Sequence, residues 1–204
     1  MQMAFATDDE LLRALCDRPR AARSRGRTRA RPSPPATPVQ IAAAEARLGF
    51  PLPPLLRRIY ELTDGGIGPG PRGILRLDGA ADTLTATYAS CIDSTYVPAA
   101  GDPGFSQYPW PARLLPICDW GCAVWSCLDC GAVDGAIVTS SNGEPFADTG
   151  HTLRSWLAAW LDGIDLYEQM FEPPPTHETI NPFTRQPMVM KGQGKPRGQR
   201  WARG

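Results

Sequence analysis

Four of the chain's six cysteines fall between positions 118 and 130, in the stretch ICDWGCAVWSCLDC. Thiolates at this density could hold a zinc ion or cycle between thiol and disulfide. A tetrahedral zinc site needs four ligands converging on one point, usually from two knuckles about a dozen or more residues apart. The spacing is Cys118-x3-Cys122-x4-Cys127-x2-Cys130, which leaves no room for two knuckles. Nor is it the C-x2-C-x2-C-x3-C run of bacterial ferredoxins. The spacer AVWS has strand character, and on a strand Cys122 and Cys127 point to opposite faces, being an odd number of residues apart. Cys127-x2-Cys130 sits at a strand end, without the helix N-terminus that stabilises a redox thiolate. The four are therefore read as small apolar fillers of a sheet core, with no metal and no cofactor. A zinc or thiol-redox centre on Cys118, Cys122, Cys127 and Cys130 is the lesser alternative.

Other catalytic chemistry is thin. The two histidines, His151 and His177, have no nucleophile beside them in the sequence. A nucleophile elbow, a phosphate loop and a paired-histidine metal helix are all missing. GIGPGPRG at 66–73 is glycine-rich, but its prolines and the lack of a following helix N-terminus make it an ordinary loop. No catalytic residue is assigned, and the chain reads as a binding module rather than an enzyme.

Charge gives the binding reading its direction. Residues 1–36 carry a net +4, residues 179–204 a net +6 with no acid, and residues 37–178 a net −10. An acidic body between basic ends steers towards a basic partner. Asp64, Asp119 and Asp129, placed in loops and at strand ends, are the candidate acidic contacts. Trp120, in the Asp119-Trp-Gly121 turn, is the candidate aromatic anchor, since tryptophan is enriched at binding hot spots. Nucleic acid enters only through the tails, whose Arg/Pro/Gly composition lacks interleaved aromatics apart from Trp201. No segment approaches the roughly 18 apolar residues of a membrane span, so no membrane partner is expected. The first residues show no secretory signal, which makes the cytoplasm the expected location and thiols the expected state of the cysteines.

These residues need elements to position them. Thr7-Asp-Asp-Glu10 is a capping box for a short helix to about Cys16, with Leu11, Leu12 and Leu15 as its contacts. The Arg/Pro-rich run to residue 36 is a linker. Thr37-Pro38 with Gln40 opens a helix that Gly49 closes, and Pro53-Pro54 opens a second, ended by Asp64-Gly65-Gly66. Gly73–Leu77 is predicted as a strand, while residues 82–91 fit helix or extended chain equally. Pro98–Pro111 is loop, with Tyr108 and Trp110 covering the core edge. Leu114–Cys118, Cys122–Asp129, Ala136–Ser140 and Pro145–Asp148 make an antiparallel meander, with a hairpin turn at Asn142-Gly143. Thr152 caps a helix with Trp156 and Trp160 on its apolar face, stopped by Gly163. A short helical turn follows over 165–171. The fold class is α+β: a mostly antiparallel sheet flanked by helices, opening with a helix hairpin. The domain spans 37–172, preceded by residues 1–36 and followed by a Pro-rich exit and basic flexible tail over 173–204.

Three stretches in this order resemble the SUKH superfamily, named for the yeast Smi/Knr cell-wall assembly regulators and their bacterial relatives. AAAEARLGFPLPPLLRRIYELTDGG resembles its opening helix hairpin, through Glu45, Leu48-Gly49, Leu52-Pro53, Leu56, Tyr60 and Gly65-Gly66. LLPICDWGCAVWSCLD and WLAAWLDG resemble the central strands and late helix of bacterial members. The resemblance covers roughly 37–172 and implies a binding role. Many bacterial members are similar to immunity proteins, which neutralise a cognate toxin by direct binding, and the yeast relatives act as regulatory scaffolds. It implies a protein partner, a basic toxin domain, for this acidic body. The alternative is an intracellular regulatory scaffold whose basic tails recruit protein or nucleic acid.

Overall fold

The computed structural model describes residues 5, 7–17, 32–79, 81–93, 109–132, 135–141, 144–173, 176–191 and 194–201. Helix α1 (Asp8–Asp17) starts on the Thr7 capping box: Glu10 N–H donates to Thr7 Oγ1 at 3.2 Å, and Thr7 N–H donates to Glu10 Oε2 at 3.3 Å. Its buried Leu11, Leu12 and Leu15 join the main apolar cluster. Ion pairs from Asp9 to Arg58 and from Asp8 to Arg154 tie it to the helices beneath.

The helix hairpin is α2 (Pro38–Leu48) and α3 (Pro54–Leu62). Thr37 and Gln40 form the reciprocal capping box, and Gly49 closes α2 with φ 78°, a left-handed position that costs glycine least. Glu45 fixes the connection: its Oε1 accepts the Leu52 N–H at 3.0 Å, and both carboxylate oxygens accept Arg57 Nη1 at 3.0 Å. Tyr60 is fully buried and donates its hydroxyl to the Leu75 carbonyl at 2.9 Å, locking the hairpin to the segment beyond it.

That segment, 73–77, is not the strand predicted. Leu75 N–H donates to Ile117 O at 2.9 Å, and Ile74 bridges Cys118, but the ladder stops there. The neighbouring backbone groups are taken elsewhere: Leu77 N–H goes to Asp64 Oδ1 at 2.7 Å, and Arg76 O accepts Leu84 N–H at 2.7 Å. Residues left open between helix and extended chain form α4 (Leu84–Ile92), which lies against α2 and β1.

The sheet is antiparallel, in the order β1 (Leu114–Gly121), β2 (Val124–Asp129), β3 (Ala136–Ser140), β4 (Ala147–Thr152) and β7 (Gln199–Arg200). The turn between β1 and β2 is Cys122-Ala123, with φ 53° and 58°, and Gly121 faces Val124. This corrects two expectations. Cys122 is a turn residue and not the start of β2, and Asp119-Trp-Gly121 is a register shift within β1 and not the turn. Asp119 Oδ1 accepts the Gly121 N–H at 2.7 Å, which holds that irregularity in place. Strand β4 begins two residues later than read and runs straight into α5 (Leu153–Leu161), because Thr152 serves both as its last residue and as the N-cap. Asn142-Gly143 and Tyr108 lie outside the described residues.

One face of the sheet carries the main core, where Leu115, Ile117, Leu128 and Ile137 meet the helices, Trp156 of α5 included. Trp160 is only half-buried at its margin. The other face holds Leu114, Cys127, Val138 and Phe146 beneath Trp110 and Trp201. Trp110 meets Phe146 edge to face at 5.4 Å and donates its Nε1–H to Leu114 O at 2.7 Å, so it does cover the core edge. The chain then forms α6 (Leu166–Met170) and a separate two-stranded sheet, β5 (Thr176–Ile180) with β6 (Pro187–Lys191). The described residues after 175 thus carry three strands where the sequence reading has a flexible tail.

Candidate functional site: an aromatic patch

Trp120 lies near the end of β1, where the register shift turns its ring onto Val124, Met170 and Phe171. Its Nε1–H donates to Ser126 Oγ at 2.9 Å, and that hydroxyl contacts Met170 Sδ at 3.5 Å. The ring is thereby fixed while remaining half-exposed. Tyr167 of α6 stands 5.7 Å from it, tilted by 49°, and Phe171 stands 5.2 Å from Tyr167. The three rings form a ladder from the core margin to the surface, where Tyr167 is 43% exposed. Asp165 positions α6 by accepting the N–H groups of Tyr167 and Glu168 at 3.0 and 3.1 Å. Asp119, Asp165 and Glu168 are next to these rings in the chain, and Arg197 and Lys195 come beside them through Arg197 N–H on Met170 O and Glu172 N–H on Lys195 O.

The sequence candidates divide by place. Asp119 and Trp120 belong to the patch. Asp64 lies at the foot of the neighbouring 64–77 segment, with one carboxylate oxygen on Leu77 N–H and the other 3.3 Å from Arg76 Nε and Nη2. That segment flanks the end of β1: a Cβ on Gly70 would come within 2.5 Å of Cys118 Sγ. Asp129 stands at the far end of the β1–β2 hairpin, opposite Leu114, 5% exposed and accepting the Gly131 N–H at 2.8 Å. Tyr167, Glu168 and Phe171 were missed, because a short helical turn at the end of the domain carried no functional signal. The Trp120 partner was readable only as an aromatic pair spaced four apart, Tyr167 and Phe171, and the helix ends at Met170 with Phe171 as its extended C-cap.

The cysteines do not converge. Cys118 packs among the helix-side cluster and Cys127 in the cluster on the opposite sheet face, while Cys122 is exposed in the turn and Cys130 half-buried at the end of β2. Among the described residues no group of three or more His, Cys, Asp or Glu side chains could hold a metal ion. Burial pushes the Cys118 and Cys127 thiols well above their ordinary range, so both stay protonated near neutrality. His151 lines a groove of about 260 Å³ with Gln169, Arg197 and Thr149, and its Nδ1 lies 3.3 Å from Ser155 Oγ. No thiol or carboxylate shares that lining. No helix among the described residues is long and apolar enough to cross a membrane.

A family model described as SMI1 / KNR4 family (SUKH-1) matches residues 35–161. The match takes in the helix hairpin, the meander and α5, the same elements that carry the resemblance in the sequence. No curated protein and no solved structure matches the chain. Trp120 lies inside the matched span, and Tyr167 and Phe171 lie outside it. With the hairpin, the meander and the late helix all in place, the chain belongs to the SMI1 / KNR4 (SUKH-1) family.

Proposed function

We propose that this chain is a non-catalytic protein-binding module of the immunity type, which neutralises a cognate toxin in the cytoplasm by covering a basic surface of it. The observation that carries this reading is the Trp120–Tyr167–Phe171 ladder, opening onto the surface of a body with net charge −10 over residues 37–178. Rigid aromatic rings supply contact area at small entropic cost and dominate hot spots. A basic partner adds guanidinium or ammonium groups that can stack on the exposed Tyr167 face. Asp119 and Glu168 steer it there. Asp64 supports that surface by holding the 64–77 segment, while Asp129, buried at the far end of the hairpin, takes no part in it.

Co-expression with a toxin domain encoded beside this chain tests the reading. The wild-type protein restores growth, and an Asp119→Lys/Glu168→Lys variant of equal abundance does not. Cells that die despite abundant wild-type protein would show the reading to be wrong.

A further inference from the structure

Beside the aromatic patch, and sharing Met170 with it, lies the groove of about 260 Å³ that His151 lines. Strand β4 supplies Thr149 and His151 from a bulge, where the register passes from Asp148 opposite Val138 to His151 opposite Ile137. Thr149 Oγ1 holds the bulge by donating to Ile137 O at 2.7 Å, and Gly150 accommodates it with φ 72°. Bulges re-aim side chains and recur beside binding sites. Helices α5 and α6 supply an apolar floor of Trp156, Leu166 and Met170, all buried, and α6 adds Gln169. The C-terminal segment closes the remaining side. There Arg197 N–H donates to Met170 O at 2.7 Å, and a Cβ on Gly198 would stand 2.0 Å from Asp148 O.

This lining sets polar groups that the fold does not use around an apolar floor. Among the described residues no carboxylate pairs with the Arg197 guanidinium, and the Gln169 side-chain amide has no hydrogen-bond partner. His151 Nδ1 lies 3.3 Å from Ser155 Oγ, which fixes the ring. Two carboxylates close by in the chain are taken by backbone groups: Asp148 Oδ1 accepts Gly150 N–H at 2.8 Å, and Asp165 Oδ1 accepts the N–H groups of Tyr167 and Glu168. The permanent charge of the lining is therefore that of Arg197 alone, and it is positive. We propose that this groove binds a carboxylate joined to one apolar group, with its oxygens on Arg197 and Gln169 and its apolar part on Trp156, Leu166 and Met170.

A carboxylate is the anion that suits this lining. Its planar pair of oxygens matches the fork of a guanidinium, and its single charge matches the single charge offered. The floor demands an apolar part, because burying bare anion against Trp156 and Leu166 would cost solvation without return. Size limits that part to about one ring or one branched chain, since the groove lies just below the roughly 300 Å³ at which small-molecule sites begin. A free aryl or alkyl acid and the C-terminal residue of a peptide share this chemistry. The groove is a second site, and its role stands apart from the toxin-covering role of the patch.

Nuclear magnetic resonance titration of the full chain tests this, with phenylacetate in one arm and a tripeptide ending in phenylalanine in the other. At least one acid binds saturably and moves the Met170 methyl and Trp156 indole signals, while the matching uncharged amides do not bind; the tighter arm identifies the source. Arg197→Met weakens that binding about tenfold. Lys195→Met, which removes a neighbouring charge outside the lining, leaves it unchanged. Both side chains are exposed, so both variants keep the wild-type thermal midpoint. The proposal is overturned if neither acid saturates, if the amides bind as tightly as the acids, or if the signals that move lie away from the groove. It is equally overturned if Arg197→Met binds like the wild type, or if Lys195→Met loses as much as Arg197→Met.

Discussion

Cys118 and Cys122 are close in sequence and opposite in circumstance. Cys118 is buried with its Sγ–H on Pro69 O at 3.3 Å, and Cys122 is exposed at the hairpin turn. Burial also pushes the Cys91 thiol up to about 11. Reactivity follows thiolate fraction and access, so a neutral thiol reagent applied to the native protein labels Cys16 and Cys122, and labels Cys118 and Cys127 only after denaturation. Mass spectrometry of the labelled peptides reads this out; rapid native labelling of Cys118 would contradict the packing described. That crowded cysteines need not share a centre was legible in their spacing. That one of them sits in the turn was not, because Asp119-Trp-Gly121 carries the stronger turn composition. Its aspartate instead uses its carboxylate to stabilise a register shift.

At the scale of elements, legibility follows the range of the interactions. The α2–α3 hairpin was readable because its determinants are local: the Thr37–Gln40 box, the prolines at helix starts and Gly49. The 73–77 segment misled because its pattern is strand-like while Asp64 and α4 divert its hydrogen bonds. The β1–β2 turn sets two side-chain-bearing residues at positive φ, where Asn-Gly is favoured and each L-residue costs about 1 kcal/mol. Replacing Cys122 by Asn together with Ala123 by Gly should raise stability by about 1 kcal/mol or more, seen as a higher urea midpoint at unchanged slope. A lower midpoint would mean that the turn does not hold this geometry.

Across the whole molecule, the division into basic ends and an acidic body was plain from the residues, and so was the family hairpin. The patch was not, because it joins a β1 residue to a helix beyond the matched span, and only the folded sheet brings Trp120 to Tyr167. It joins Trp120, inside the matched span, to Tyr167 and Phe171 beyond it. Tyr167 is exposed enough to be truncated without opening the core. Calorimetric titration of a toxin domain encoded beside this chain into wild type and Tyr167→Ala therefore puts the central claim to its most direct measurement. The account predicts tight binding by the wild type and a loss of about 2 kcal/mol, roughly thirtyfold in affinity, for the variant. Equal affinities for the two proteins would contradict it.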